Sequence, residues 1–183
     1  MCKSVLVIST SLRQESNSDL LAEEFIRGAR EAGHMVEKVS LAGREIGFCR
    51  GCMACQRNRS GHCVIQDDAD AIVQKMAQAE VLVFATPIYY YEMSGQMKTL
   101  LDRANPLFPV DYAFREVYLL TAAADEDPSA MDGAVKGLEG WVACFEKCRL
   151  AGVVRGTGAD APGEIRSHAA HGRQAYDMGR SIR

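Results

Sequence analysis

Residues 4–41, SVLVISTSLRQESNSDLLAEEFIRGAREAGHMVEKVSL, decide the fold. Ser4–Ile8 is a short continuous apolar run, the pattern of a buried strand. Asn17–Ala32 places Leu20, Leu21, Phe25 and Ala29 at helical spacing. Gly33 ends that helix and Met35–Leu41 reads as a second strand. A strand, a hydroxyl-rich loop, an amphipathic helix and another strand thus follow one another, and parallel strands need such a crossover.

The same alternation continues along the chain. Asp67-Asp68 open a helix to about Ala79, with acids well placed against its N-terminal dipole. Val81–Ala85 is a third strand, followed by a Pro- and Tyr-rich loop and a helix from about Gly95 to Ala104. Asn105–Tyr112, with two prolines, is a connection. Glu116–Leu120 is a fourth strand, Pro128–Cys148 a long helix, Leu150–Val154 a fifth strand and Glu164–Ser181 a closing helix. Five strands alternating with helices imply an α/β protein with a five-stranded, doubly wound parallel sheet and helices on both faces. The length of 183 residues supports one well-filled core, and with no repeat, low-complexity tract or linker the expectation is a single domain over 1–183.

The formal net charge of −3 gives no basic footprint for nucleic acid. The longest apolar runs, such as Val81–Ala85, are strand-sized and too short to span a bilayer. The N-terminal run stops at Ser9-Thr10-Ser11, short of a signal peptide's apolar core, and the expected location is cytoplasmic. Four of the seven cysteines, Cys49, Cys52, Cys55 and Cys63, lie in one segment at 49–63, which in a reducing compartment suggests metal or redox chemistry.

Ligands of doubly wound sheets sit beyond the carboxyl ends of the strands. After the first strand, Ser9-Thr10-Ser11-Leu12-Arg13-Gln14-Glu15-Ser16-Asn17-Ser18 supplies hydroxyls, an Arg and backbone N–H groups at a helix N-terminus, the chemistry of an anion cradle. A plain N-cap by Asn17 or Ser18 is the other reading of this loop. No Walker pattern is present, which disfavours an NTPase. After the third strand, Thr86-Pro87-Ile88-Tyr89-Tyr90-Tyr91 sets three consecutive tyrosines that cannot all face one core. Flat rings and backbone donors there suit an isoalloxazine, with an aromatic interface patch as the alternative.

Together these loops resemble the NADPH-dependent FMN reductase and flavodoxin-like oxidoreductase family. Ser11-Leu12-Arg13 with Asn17-Ser18 looks like that family's phosphate loop, with Leu12 where Pro is usual. Thr86-Pro87-Ile88-Tyr89 and Lys98-Thr99-Leu100-Leu101-Asp102-Arg103 look like its flavin loop and following helix. The resemblance implies a flavodoxin-like fold. It implies FMN held through its phosphate by Ser11, Arg13, Asn17 and Ser18, with Pro87, Ile88, Tyr89 and Tyr90 along the ring. The family's third loop corresponds to Thr121-Ala122-Ala123-Ala124, so Thr121 and Ala122 join the expected cofactor contacts. It further implies NAD(P)H as co-substrate, a small-molecule acceptor and a homodimer or homotetramer.

Cys49, Cys52 and Cys55 stand at steps of three, with Cys63 eight residues on. Thiolates spaced so closely can hold three corners of a cubane while the fourth closes it; zinc, which prefers separated pairs, is second. The segment resembles the family's iron–sulfur flavoprotein branch, which implies Cys49, Cys52, Cys55 and Cys63 as ligands of a 4Fe-4S cluster and ferredoxin as a possible donor. Cysteine loops ending in an acidic pair, here Asp67-Asp68, also occur in family members without a known cluster, so four reduced thiols packing a loop stand beside the cluster reading.

Gly156-Thr157-Gly158 mimics a dinucleotide fingerprint, but Pro162-Gly163 follows and no βαβ unit comes after it. Cys144 and Cys148, with Trp141, read as one buried helix face. No side chain is assigned as acid, base or nucleophile; the chemistry expected is that of the flavin. The leading expectation is an FMN-dependent oxidoreductase moving electrons to flavin, quinone or another small acceptor. A non-catalytic flavodoxin-like electron carrier and a flavin-free interaction module are the rivals.

Overall fold

The computed structural model describes all 183 residues. Its strands are β1 (Ser4–Ser9), β2 (Met35–Ser40), β3 (Val81–Tyr89), β4 (Glu92–Met93), β5 (Glu116–Ala122) and β6 (Arg149–Gly156). Five of them form one parallel sheet, as expected; its order is β2-β1-β3-β5-β6, and the two-residue β4 pairs antiparallel with the end of β3. The helices are α1 (Asn17–Glu31), α2 (Ala54–Asn58), α3 (Asp68–Gln78), α4 (Gly95–Arg103), α5 (Asp132–Val142) and α6 (Ala169–Arg180).

Alternating strand residues feed two cores, one on each face of the sheet. Leu6, Ile8, Leu82, Phe84 and Leu119 pack with side chains of α3, α4 and α5. Val5, Val7, Val83, Tyr118 and Leu120 pack with α1 and α6, where Phe25 is fully buried. Each such aliphatic or aromatic burial stabilises by about 1.5–3 kcal/mol. Helices α1 and α6 approach until a Cβ on Gly28 would overlap the Tyr176 carbonyl, and one on Gly179 the Phe25 carbonyl.

Three elements depart from the sequence reading. The third strand does not stop at Ala85 but runs on to Tyr89 and turns back as β4, so the tyrosine loop is a two-residue hairpin. Both turn residues take positive φ, 51° at Tyr90 and 64° at Tyr91, as a tight hairpin connection requires. The expected helix Pro128–Cys148 is a 3₁₀ turn, Pro128–Met131, followed by α5. Beyond Val142 the backbone makes i−3 bonds, from Cys144 to Trp141 and from Cys148 to Phe145. Cys144 is therefore exposed and Cys148 half-buried, rather than lining one helix face. The closing helix likewise divides at His168, whose backbone (φ −99°, ψ 66°) separates the turn Glu164–Ser167 from α6.

Candidate functional site

Strand order reverses between β1 and β3, and the loops leaving these strands lie side by side at the carboxyl edge. Register fixes their proximity: Ser9 pairs with Ala85, and Pro87 pairs with Ala122. Thr10 N–H and Thr10 Oγ1 both donate to the Ala85 carbonyl, at 2.9 and 3.0 Å. The Ser11 loop, the Pro87–Tyr90 loop and the Thr121-Ala122 strand end therefore share one edge of the molecule.

Within the first loop the expected phosphate residues divide in role. The N-cap of α1 is Ser16 rather than Asn17 or Ser18, and its side chain makes no capping bond; it lies 3.0 Å from Ser18 Oγ instead. No side chain caps the leading N–H groups of α1, an arrangement that favours an anion. Ser11 and Ser18 are buried, and Ser11 Oγ accepts from Arg13 N–H at 3.3 Å. Asn17 is a clamp: its Nδ2 donates to Ala159 and Ala161 carbonyls at 3.0 Å each, and its Oδ1 accepts from Ile165 N–H at 3.2 Å. Arg13 is exposed and donates to the Asp160 carbonyl at 2.9 Å. The loop after β6 is thereby tied to the loop after β1, a role the sequence did not show for either residue.

Around the second loop, Pro87 and Ile88 are half-buried and Tyr89 and Tyr90 are exposed, Tyr90 at 99%. Ser94, fully buried, N-caps α4 by accepting from Met97 N–H at 3.3 Å. Its own N–H donates to Thr86 Oγ1 at 3.1 Å, which closes the base of the hairpin. Thr121 is buried, and its hydroxyl donates to the Val154 carbonyl at 2.8 Å, bridging β5 to β6; Ala122, also buried, ends β5. The hydroxyl-and-amide donor set of the first loop and the flat side chains of the second fit a phosphorylated, flat aromatic ligand such as FMN.

The cysteine segment behaves differently. Cys55, buried in α2, has its thiol pushed up by burial and then by neighbouring Cys63, and Asn105 Nδ2 donates to its sulfur at 3.5 Å. Cys63 is half-buried, its N–H donating to Asp70 Oδ1 at 2.8 Å, while Cys49 and Cys52 are exposed. Of the other three cysteines, only Cys63 acts on the Cys55 thiol, and no three His, Cys, Asp or Glu side chains converge as a ligand set. As placed, the donors do not fit a four-thiolate cluster.

What anchors the segment is Arg103, which sequence reasoning missed. Its buried guanidinium donates to both oxygens of Asp67, at 2.5 and 2.9 Å, and to the Gly47 and Ile65 carbonyls at 2.9 and 3.3 Å. Burial raises the Asp67 carboxyl, but the Arg103 bonds and the N–H groups of Gly47 and Ala69 outweigh it and hold it below the usual carboxylate range. Both ends of the segment are thus pinned to α4. The available signal was the acid at Asp67 opening one helix, with an Arg closing the next.

The strand order, the switch-point loops and their chemistry define a flavodoxin-like α/β protein. The model of the NADPH-dependent FMN reductase family matches residues 4–147, and the chain belongs to that family. It is 40% identical over 103 residues to an iron–sulfur flavoprotein of Methanocaldococcus jannaschii, covering 56% of this chain and 52% of that one. To an iron–sulfur flavoprotein of Archaeoglobus fulgidus it is 31% identical over 96 residues, covering 52% and 43%. The chain thus spans about half the length of these relatives, 52% and 43%. In fold it is similar to the NAD(P)H:quinone oxidoreductase from Methanothermobacter marburgensis, with a TM-score of 0.75, 16% identity and coverage of 98% and 96%.

Proposed function

We propose that this chain is an FMN-dependent oxidoreductase that takes electrons from NAD(P)H and delivers them to a small acceptor, a quinone or a flavin. The observation that carries the reading is the meeting, at the β1/β3 switch point, of an α1 N-terminus without a side-chain cap and the flat tyrosine hairpin. FMN, when bound, supplies the two-electron chemistry. The chain's residues bind and orient it. Ser11, Ser18 and the first N–H groups of α1 hold the phosphate, with Arg13 adding charge at the rim. Asn17 keeps the β6 loop against the site. Pro87, Ile88, Tyr89 and Tyr90 flank the ring, and Thr121 with Ala122 forms a close floor of small side chains. The domain is single over 1–183, works in the cytoplasm and assembles as a homodimer or homotetramer. No helix is long and apolar enough to cross a membrane.

Purified protein is tested for a released flavin by mass spectrometry and for NAD(P)H-dependent quinone reduction. FMN as the main species with turnover supports the reading. Colourless protein that takes up no FMN overturns it, and bound FMN without NAD(P)H oxidation leaves an electron carrier.

The influence of Cys63 on the Cys55 thiol, and the names of the relatives, favour a second reading in which iron and sulfide also occupy the cysteine segment and ferredoxin supplies the electrons. Cys49 and Cys52 would have to move inward for it. Iron and sulfide analysis of anaerobically prepared protein decides between this reading and four free thiols.

A further inference from the structure

Two consecutive tyrosines with left-handed backbones make an unusual turn. Positive φ is disfavoured for any residue with a Cβ, and a two-residue hairpin ordinarily places Asn-Gly there. Tyr90 is 99% exposed and Tyr91 65%, so their rings do not hold the turn in place. The turn and the strand after it approach α5 closely. A Cβ built on Gly133 would fall well inside 3.0 Å of the Tyr91 carbonyl and 3.3 Å from Glu92 Oε2. One built on Gly137 would lie 3.0 Å from Met93 Cε and 3.6 Å from Glu92 Oε1. Glycine weakens a helix interior, yet α5 carries it at Gly133, Gly137 and Gly140. At the first two, hairpin atoms occupy the space a side chain would take; Gly140 faces open space.

We propose that Gly133 and Gly137 are positioning residues, a side-chain-free seat on α5 that sets the height of the tyrosine hairpin against the ring-binding edge. This deepens the FMN reading and rests on it. Any side chain at position 133 must push the Tyr91 carbonyl outward by on the order of 1 Å, a misplacement of the size that costs about 100-fold in rate. The hairpin is short, with rungs Ile88–Met93 and Tyr89–Glu92, so the displacement passes directly to the residues assigned to the ring. At position 137 the obstructing atom is the end of the flexible Met93 side chain, which can yield.

The test is the series Gly133→Ala, Gly137→Ala and Gly140→Ala. FMN affinity by fluorescence titration, the flavin's visible bands and the kcat for NAD(P)H oxidation are read beside thermal midpoint and chymotrypsin cleavage at Tyr90 and Tyr91. Gly133→Ala should lower FMN affinity at least tenfold or kcat about 100-fold, shift the flavin bands and speed cleavage. Gly137→Ala should show the same changes in smaller degree, and Gly140→Ala none of them. Folded Gly133→Ala with wild-type affinity, bands, kcat and cleavage overturns the seat, and so does an equal loss in Gly140→Ala. If Gly133→Ala does not fold, Gly137→Ala decides: unchanged flavin bands and unchanged cleavage overturn the proposal. Wild-type protein that takes up no FMN overturns the functional reading instead, and the cleavage series, which needs no flavin, still reads the seat.

Discussion

Ser94 Oγ lies 3.1 Å from Thr10 Oγ1, a buried contact between residues 84 apart in sequence. Thr10 donates to the Ala85 carbonyl, so the Ser94 hydroxyl proton is directed at Thr10. One serine thereby caps α4, closes the base of the tyrosine hairpin and reaches the first loop. We expect Ser94→Ala to cost about 1–3 kcal/mol, from the lost cap and the polar partners left behind. That corresponds to a fall in Tm of roughly 2–12 °C for a chain of this size. FMN affinity should fall with it, because both loops loosen together. Urea denaturation and fluorescence titration measure the two effects.

Arg13 differs from its loop neighbours in being exposed, with a bond to the Asp160 carbonyl that water can replace. We expect Arg13→Ala to leave stability within about 0.5 kcal/mol of wild type. A charge-assisted bond to phosphate contributes about 1.5–3 kcal/mol, so FMN affinity should drop about tenfold or more. Unchanged affinity would remove Arg13 from the site.

The parallel sheet was legible because Val5–Ile8, Val81–Ala85 and Val117–Leu120 are apolar on both faces, and only a helix-covered sheet buries such runs. The edge carrying the loops followed from that topology. What sequence did not show depends on long-range partners. Nothing near Asn17 reveals that its amide is taken up by carbonyls of residues 159 and 161. The Tyr90-Tyr91 turn lacks the Asn-Gly signal of a hairpin although both residues take positive φ, and its close approach to Gly133 joins segments far apart in sequence. The cysteines cluster in sequence, yet close spacing does not make four sulfurs converge, and no three potential ligands come together in the fold.

Replacing Tyr90 by Asn and Tyr91 by Gly would give the hairpin the residues its backbone prefers. Each left-handed non-glycine residue stores about 1–2 kcal/mol, so the double variant should be more stable by roughly that amount. If the tyrosines serve the flavin, it should bind FMN or turn over more weakly despite the gain. A higher Tm with unchanged FMN affinity and kcat would show that the rings are dispensable.

The Arg103–Asp67 pair gives the fold an acid-sensitive joint. The Asp67 carboxyl is held below its unfolded value of about 3.9, so its contribution to stability is present above that value and is lost as pH falls through the folded value. Wild type should therefore lose stability below about pH 4 more steeply than Asp67→Asn, which starts lower and responds less. Arg103→Met, which leaves the carboxylate without its cation, should cost about 3–5 kcal/mol at neutral pH. Urea midpoints from pH 3 to 7 test the sign. A flat difference between wild type and Asp67→Asn across that range would mean the pair carries no pH dependence.

The thiols offer the sharpest separation between the two readings of the cysteine segment. Reactivity follows thiolate fraction and access. Cys49, Cys52 and Cys144 are exposed, whereas burial pushes the Cys148 thiol up to about 11 and also raises Cys55. In iron-free protein, iodoacetamide at pH 8 followed by peptide mapping should label Cys49, Cys52 and Cys144 at least tenfold faster than Cys55 and Cys148. Supplying ferrous iron and sulfide anaerobically then discriminates. If the segment closes into a cluster site, Cys49 and Cys52 become protected together with Cys55 and Cys63, while Cys144, outside the motif, keeps its rate as an internal control. If the four are free thiols, the labelling order is unchanged by iron and sulfide and no broad visible absorbance develops. Protection confined to Cys55 and Cys63 would exclude a four-thiolate cluster and mark the pair as the only metal-responsive thiols. Cys49 and Cys52 would then remain loop residues whose exposure matches the structure.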